Sequence, residues 1–204
     1  HGVTDATLCT RAQTTRVNVP QLSPMESQMF ARLGRWCHDH RWIVLGPQGD
    51  LTLTMTVCAL DQSVRGAYLD RRRGYFNGPC VFALPGSRDA QPIELTIDPP
   101  RHAQCEDWRV ATSLAPLRVD ERGFGVYTAS DYDELLDHPV EISDFESVEF
   151  EAAGVPHKLV VAGRFDSDLD RVAADLAQVC ATQIEFFGRP APVVRYWLLG
   201  LAVG

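Results

Sequence analysis

Apolar and polar positions alternate with a period of two along much of the first half of this chain, the mark of strands with one face buried. Leu-Thr-Leu-Thr-Met-Thr-Val at 51–57 alternates most cleanly. The run Leu51–Leu60 is predicted to pair with Trp42–Leu45 across Gly46-Pro-Gln-Gly-Asp50 as a hairpin, its threonine face toward solvent. Thr15–Val19, Cys80–Leu84, Ile93–Ile97, Trp108–Thr112 and Gly123–Thr128 are further short strands, most of them bounded by Pro, Gly or Asp. Met25–Gly34 is compatible with one short helix. Successive strands with almost no helix between them predict an antiparallel β domain over residues 1–118.

The period changes near Ser130. Ser130 followed by Asp133 resembles a capping box, and Tyr132–Leu136 forms a predicted short helix stopped at His138-Pro139. Val148–Ala152 and Lys158–Val161 are predicted strands around a Gly154-Val-Pro156 turn. Leu169, Val172, Ala173, Leu176, Cys180, Ile184 and Phe187 then fall on one stripe of a helix over about Asp168–Phe187. Asp166 or Ser167 suits its N-cap, and Gly188 with Pro190 ends it. A last strand runs over Val193–Leu199. Residues 119–204 are thus β-β-α-β, which makes the expected class mainly β with an α+β C-terminal part.

Composition narrows the function classes. Among 204 residues, 45% are apolar and 23% charged, ordinary for a globular protein that can bury a sizeable core. A net charge of −8 argues against a nucleic-acid partner. The most apolar stretch, Val193–Val203, carries Arg195 and falls well short of the ~20 residues needed to span a membrane, so no membrane partner is expected. No leader pattern precedes residue 20, and the compartment, cytoplasmic or periplasmic, stays open. The six cysteines show no Cys-x-x-Cys spacing and are expected to be free thiols.

Candidate chemistry is sparse. None of the six histidines begins a His-Glu-x-x-His, and His38-Asp-His40 has no third ligand in sight, so no metal site is expected within the chain. The acid-rich stretch Ser130–Glu141 lacks the spacing and glycine of a calcium loop. Its carboxylates, such as Asp133 and Glu141, are acid–base candidates only if their environments split their pKa values. No nucleophile elbow or phosphate loop is present.

The densest stretch is Asp61–Gly78, with four arginines, two aspartates, three aromatics and three glycines in 18 residues. Either it makes two tight turns joining strands, with Asp70 pairing a neighbouring arginine, or it faces a cleft.

Six motifs in order then resemble a known family. They are Ser-Val-Arg-Gly-Ala-Tyr-Leu-Asp (63–70), Gly-Tyr-Phe-Asn-Gly (74–78), Trp-Arg-Val-Ala-Thr (108–112), Tyr-Asp-Glu-Leu-Leu-Asp-His-Pro-Val-Glu (132–141), Gly-Val-Pro-His (154–157) and Phe-Gly-Arg-Pro (187–190). Together they resemble the N-terminal portion of M61 zinc aminopeptidases, the glycyl aminopeptidase group, from about residue 42 onward. Upstream, Val19-Pro20-Gln-Leu-Ser-Pro24 keeps only two prolines of the family's Leu-Pro-x-Trp-x-Pro segment.

The resemblance implies a β domain packed on a thermolysin-like catalytic domain, often followed by a PDZ domain, so that 119–204 would open the catalytic domain. It also implies a peptide substrate with an N-terminal residue such as Gly or Ala, and zinc bound by a His-Glu-x-x-His segment beyond Gly204. This chain alone would then be inactive, and its cut edge would favour association with itself or with the missing half. By analogy with related enzymes, the loop at 61–78 would lean over the cleft. Asn77, whose amide both donates and accepts, and Tyr75 beside it would touch substrate, while Arg65 and Asp70 hold the loop's shape. A stand-alone β-rich binding or scaffolding module is the alternative from another class.

Overall fold

The computed structural model describes residues 14–17, 42–45, 51–54, 56–83 and 92–203. The architecture is mainly β, built from four small sheets, with two α-helices among the described residues.

The first sheet joins β1 (Thr14–Val17), β2 (Trp42–Leu45) and β3 (Leu51–Thr54) in the order β1-β3-β2, all antiparallel. The expected β2–β3 hairpin is present, with Leu45 opposite Leu51 and Trp42 opposite Thr54. Its second arm is shorter than expected: residues 56–59 are irregular, and Leu60 makes a lone bridge to Tyr68. The predicted helix at Met25–Gly34 and the His38/His40 pair lie outside the described residues.

The second sheet contains β4 (Ala67–Leu69), β5 (Arg73–Phe76), β7 (Arg109–Ala111) and β10 (Val140–Ser143), ordered β4-β5-β10-β7. The third joins β6 (Ile93–Ile97), β8 (Ala115–Val119) and β9 (Gly125–Ala129) in the order β6-β9-β8. A single core lies between them. Ala67, Phe76 and Val140 from one sheet meet Leu95, Ile97, Tyr127 and Ala129 from the other, with Phe82, Trp108, Leu114, Phe124 and Leu135 filling the ends. These strands are short and their apolar sets are small, so neither sheet closes a core without the other.

Two expectations need correction here. Of the predicted strand Cys80–Leu84, the described residues 80–83 are not a strand: Pro79 has no amide hydrogen to donate, and Gly78–Cys80 instead forms a 3-10 turn. Two strands, β8 and β10, were hidden, one by Pro116 and the other by its acid-rich flank. Residues 118 and 119 both lie within β8, where Val119 pairs with Gly125. Through β10 the second sheet, too, extends to Ser143.

Helix α1 (Tyr132–Asp137) follows, capped one residue later than expected. Asp131 accepts from the Glu134 amide, while Glu134 reaches back to the Ser130 amide at 2.6 Å. The fourth sheet contains β11 (Glu146–Ala152), β12 (Val155–Gly163) and β13 (Tyr196–Ala202). A two-residue turn, Ala153-Gly154 with φ of 52° and 83°, connects β11 to β12. The long helix α2 (Leu169–Phe187) then crosses to β13, which runs parallel to β12. Its N-cap is Asp168 rather than the expected Asp166 or Ser167: the Asp168 carboxylate accepts from the Asp170 and Arg171 amides. Val160, Ala162, Trp197 and Leu199 on this sheet pack on Ala111 and Phe145 of the preceding elements.

Candidate functional site

The stretch Asp61–Gly78 is a hairpin, β4–β5, closed by two carboxylate-ordered turns. Asp61 Oδ1 accepts from the Ser63 amide at 2.9 Å, and Oδ2 accepts from its hydroxyl at 3.0 Å. Gly66 then passes directly over Asp61: a Cβ there would stand 2.5 Å from the Asp61 Cγ, so only glycine fits. At the other turn Asp70 Oδ1 accepts from the Arg72 and Arg73 amides at 2.7 and 2.9 Å, and Tyr68 donates its hydroxyl to Oδ2 at 3.2 Å. Asp70 therefore shapes the loop through backbone amides. Its contact with Arg72 is 3.8 Å long and solvent-exposed. Arg65 contributes through its carbonyl, which accepts from Cys80 Sγ at 2.7 Å. No side-chain bond of Arg65 is seen among the described residues.

Strand alternation divides β5 into two faces. Gly74 and Phe76 face the core. Arg73, Tyr75 and the extended Asn77 that follows (φ −95°, ψ 133°) share the opposite face. In register, Glu141 of β10 stands opposite Tyr75, and Ser143 stands opposite Arg73. Arg73 reaches diagonally and grips Glu141 with a fork, Nε at 2.8 Å and Nη2 at 2.8 Å from Oε2. Ser143 donates to Glu141 Oε1 at 2.9 Å, and the Arg73 guanidinium lies 4.9 Å from the Tyr75 ring centre.

Glu141 and Ser143 are each 1% exposed. Burial pushes the Glu141 carboxyl above its ordinary value, while the bonds from Arg73 and the Ser143 hydroxyl pull it back. Arg73 Nη1 is buried with no partner among the described residues. Tyr75 is buried and donates its hydroxyl to the Val64 carbonyl at 2.9 Å, which ties the 61–66 loop to β5. Burial raises the Tyr75 phenol; Arg73 works against that shift and Glu141 adds to it. The Asn77 backbone is held at both ends, its amide donating to Gly66 O and its carbonyl accepting from the Cys80 amide, each at 3.0 Å. Its side-chain amide makes no hydrogen bond among the described residues.

The structure thus brings Tyr75 and Asn77 onto one face with Arg73, Glu141 and Ser143. Sequence reasoning missed the roles of the last three in this network. The alternation Val140-Glu141-Ile142-Ser143 signalled a strand, but acids on both sides concealed it. As a buried, cation-paired group Glu141 is not poised as a general base. A separate cluster links α1 to the β7–β8 turn: Ser113 Oγ lies 2.5 Å from His138 Nδ1, and His138 Nε2 lies 4.0 Å from Glu134. Burial holds the His138 imidazole below its ordinary value.

Comparison with known proteins places this geometry in a family. Residues 31–144 match the peptidase M61 N-terminal domain, a span that contains the whole β4–β5 hairpin and β10. No curated protein matches the chain. Among solved structures, an aminopeptidase N family protein from Idiomarina loihiensis is similar at 36% identity and a TM-score of 0.71 over 78% of this chain. The chain spans only 27% of the length of that protein. The chain therefore belongs to the peptidase M61 N-terminal domain family, as the N-terminal portion of an M61-family peptidase.

Proposed function

We propose that this chain forms one wall of the substrate cleft of a zinc aminopeptidase that removes N-terminal residues such as Gly or Ala from peptides. The observation that carries the proposal is the family match over 31–144, which spans the hairpin bearing Tyr75 and Asn77. A side-chain amide with no hydrogen bond among the described residues, held on a doubly anchored backbone, is suited to bind the polar end of a peptide. Among the described residues no three His, Cys, Asp or Glu side chains come together to hold a metal ion. Zinc does not fit these residues, and no catalytic step is assigned to them. The zinc ligands and base of the proposed enzyme would belong to polypeptide outside this chain, and the 204-residue chain would be inactive by itself.

In this proposal β11, β12, α2 and β13 open the catalytic domain, and the rest of that domain is their partner. Support comes from the apolar surface at the end of α2 and on either side of β13: Phe186, Phe187, Val194 and Val203 are all more than four-fifths exposed. The same surface would make the isolated chain self-associate, which light scattering reads directly; a monodisperse monomer at high concentration counts against it.

The function is tested in two ways. The purified chain should release no glycine from a peptide with N-terminal glycine in the presence of zinc, and release would overturn its inactivity. In the full-length protein, Asn77→Ala should lower kcat/KM about tenfold or more. An unchanged kcat/KM would make the loop purely structural.

A further inference from the structure

We propose that Glu141 and Arg73 are positioning residues for substrate binding, setting the place of the Asn77 amide through the strand they clamp. The inference rests on the reading that Asn77 touches substrate.

The two residues lie on β10 and β5, 68 positions apart in sequence, yet their fork closes at 2.8 Å. Such a bond ties two strands together in both spacing and register, because a guanidinium meets a carboxylate in a plane. It acts close to Asn77. Glu141 is directly opposite Tyr75, and Asn77 is the next residue outward on the same face of β5. The last rung of the ladder, Phe76 opposite Val140, precedes Asn77, so beyond that rung no β10 pairing restrains β5. Restraint of Asn77 then comes from the strand before it, from the loop beside it, and from the Gly78–Cys80 turn after it, whose Cys80 amide donates to the Asn77 carbonyl.

The first two lead back to the ion pair. The guanidinium lies against the Tyr75 ring, and the Tyr75 hydroxyl holds the Val64 carbonyl. The Val64 loop leads to Gly66, whose carbonyl accepts the Asn77 amide. Ser143 adds a further bond to the carboxylate, to its Oε1.

A pair buried this deeply is weak evidence for stability, since desolvation of two charges offsets their attraction. Its better-attested use is to specify geometry, and the geometry it specifies here ends at Asn77. A small shift of a binding group costs affinity without touching the chemistry, so loss of the clamp should appear in KM.

The test uses the full-length protein and a peptide with N-terminal glycine. Glu141→Gln keeps the side-chain shape and one acceptor but removes the charge-assisted fork. KM is expected to rise about fivefold to tenfold with kcat within about twofold, the pattern of lost binding that is shared by ground and transition states. Combined with Asn77→Ala, the Gln variant should add less than about twofold to the loss caused by Asn77→Ala alone, because both act through one amide.

Ser143→Ala, which spares the ion pair, should shift KM in the same direction by a smaller factor, and it carries the test if Glu141→Gln does not fold. Multiplicative losses in the double variant would overturn the proposal, as would a normal KM in Glu141→Gln while Asn77→Ala is impaired. A silent Asn77→Ala variant would instead overturn the substrate-contact reading itself.

Discussion

Replacing Arg73 by methionine keeps a long stem and removes the cation that grips Glu141. The two side chains are only 11% and 2% exposed, so solvent does little to screen the pair. Once the guanidinium is gone, a buried carboxylate escapes its uncompensated charge by taking up a proton. With an ordinary value of 4.5 for that carboxyl, protonation at pH 7 costs about 3.4 kcal/mol, at about 1.4 kcal/mol per pH unit. That agrees with the roughly 3–5 kcal/mol expected when one partner of a buried pair is removed. Loss of the unpartnered Arg73 Nη1 offsets part of it, because a buried donor without an acceptor costs about 1–3 kcal/mol. The expected net loss at pH 7 is about 2 kcal/mol.

The pH dependence is the sharper signature. Burial already holds the Glu141 carboxyl above its ordinary value, so the folded chain binds that proton more tightly than the unfolded chain. Stability that this group provides below its ordinary value is lost as pH rises through the raised one. Without Arg73 the value climbs further and the loss spans a wider range. At pH 5 protonation costs only about 0.7 kcal/mol, so the Arg73→Met defect should shrink by at least about 1 kcal/mol between pH 7 and pH 5. Urea unfolding of parent and variant at both pH values measures this. An equal defect at both would refute the buried, charged pair. Arg73→Met combined with Glu141→Leu should recover most of the loss.

Other outcomes follow from single contacts. Gly78→Ala would set a Cβ 2.8 Å from the Leu136 Cα and 3.1 Å from its carbonyl oxygen, backbone atoms that cannot swing aside. It should cost about 1–3 kcal/mol, visible as a lowered Tm. Asp168→Ala removes the cap of α2 and should cost about 1 kcal/mol, with faster hydrogen exchange in that helix's first turn. Burial lowers the His138 value in the folded chain, so its unfolded form takes the proton first; stability should fall as pH drops through 6.5. His138→Gln should flatten that slope.

Much of the β5 face was legible in the residues. Tyr75, Asn77 and Asp70 stand out in a dense turn-rich run, and Asp70 does order its turn. The direction of the Arg65 side chain was not legible, because a guanidinium in a loop carries no local mark of whether it turns inward or outward. Glu141 was visible only as one acid among several, since nothing near it in sequence announces a partner 68 positions away.

By itself the sequence determined what depends on near neighbours. These are the alternation that makes strands half-buried, the apolar stripe of α2 and its stop at Gly188, the glycines demanded by tight turns, and six ordered motifs sufficient to place the family. The tertiary structure alone decided which strands pair and that β10 inserts between β5 and β7. It also decided that Arg73 and Glu141 meet. Strand propensity is local, but pairing is chosen by which apolar faces close a common core, and that choice couples residues a chain's length apart.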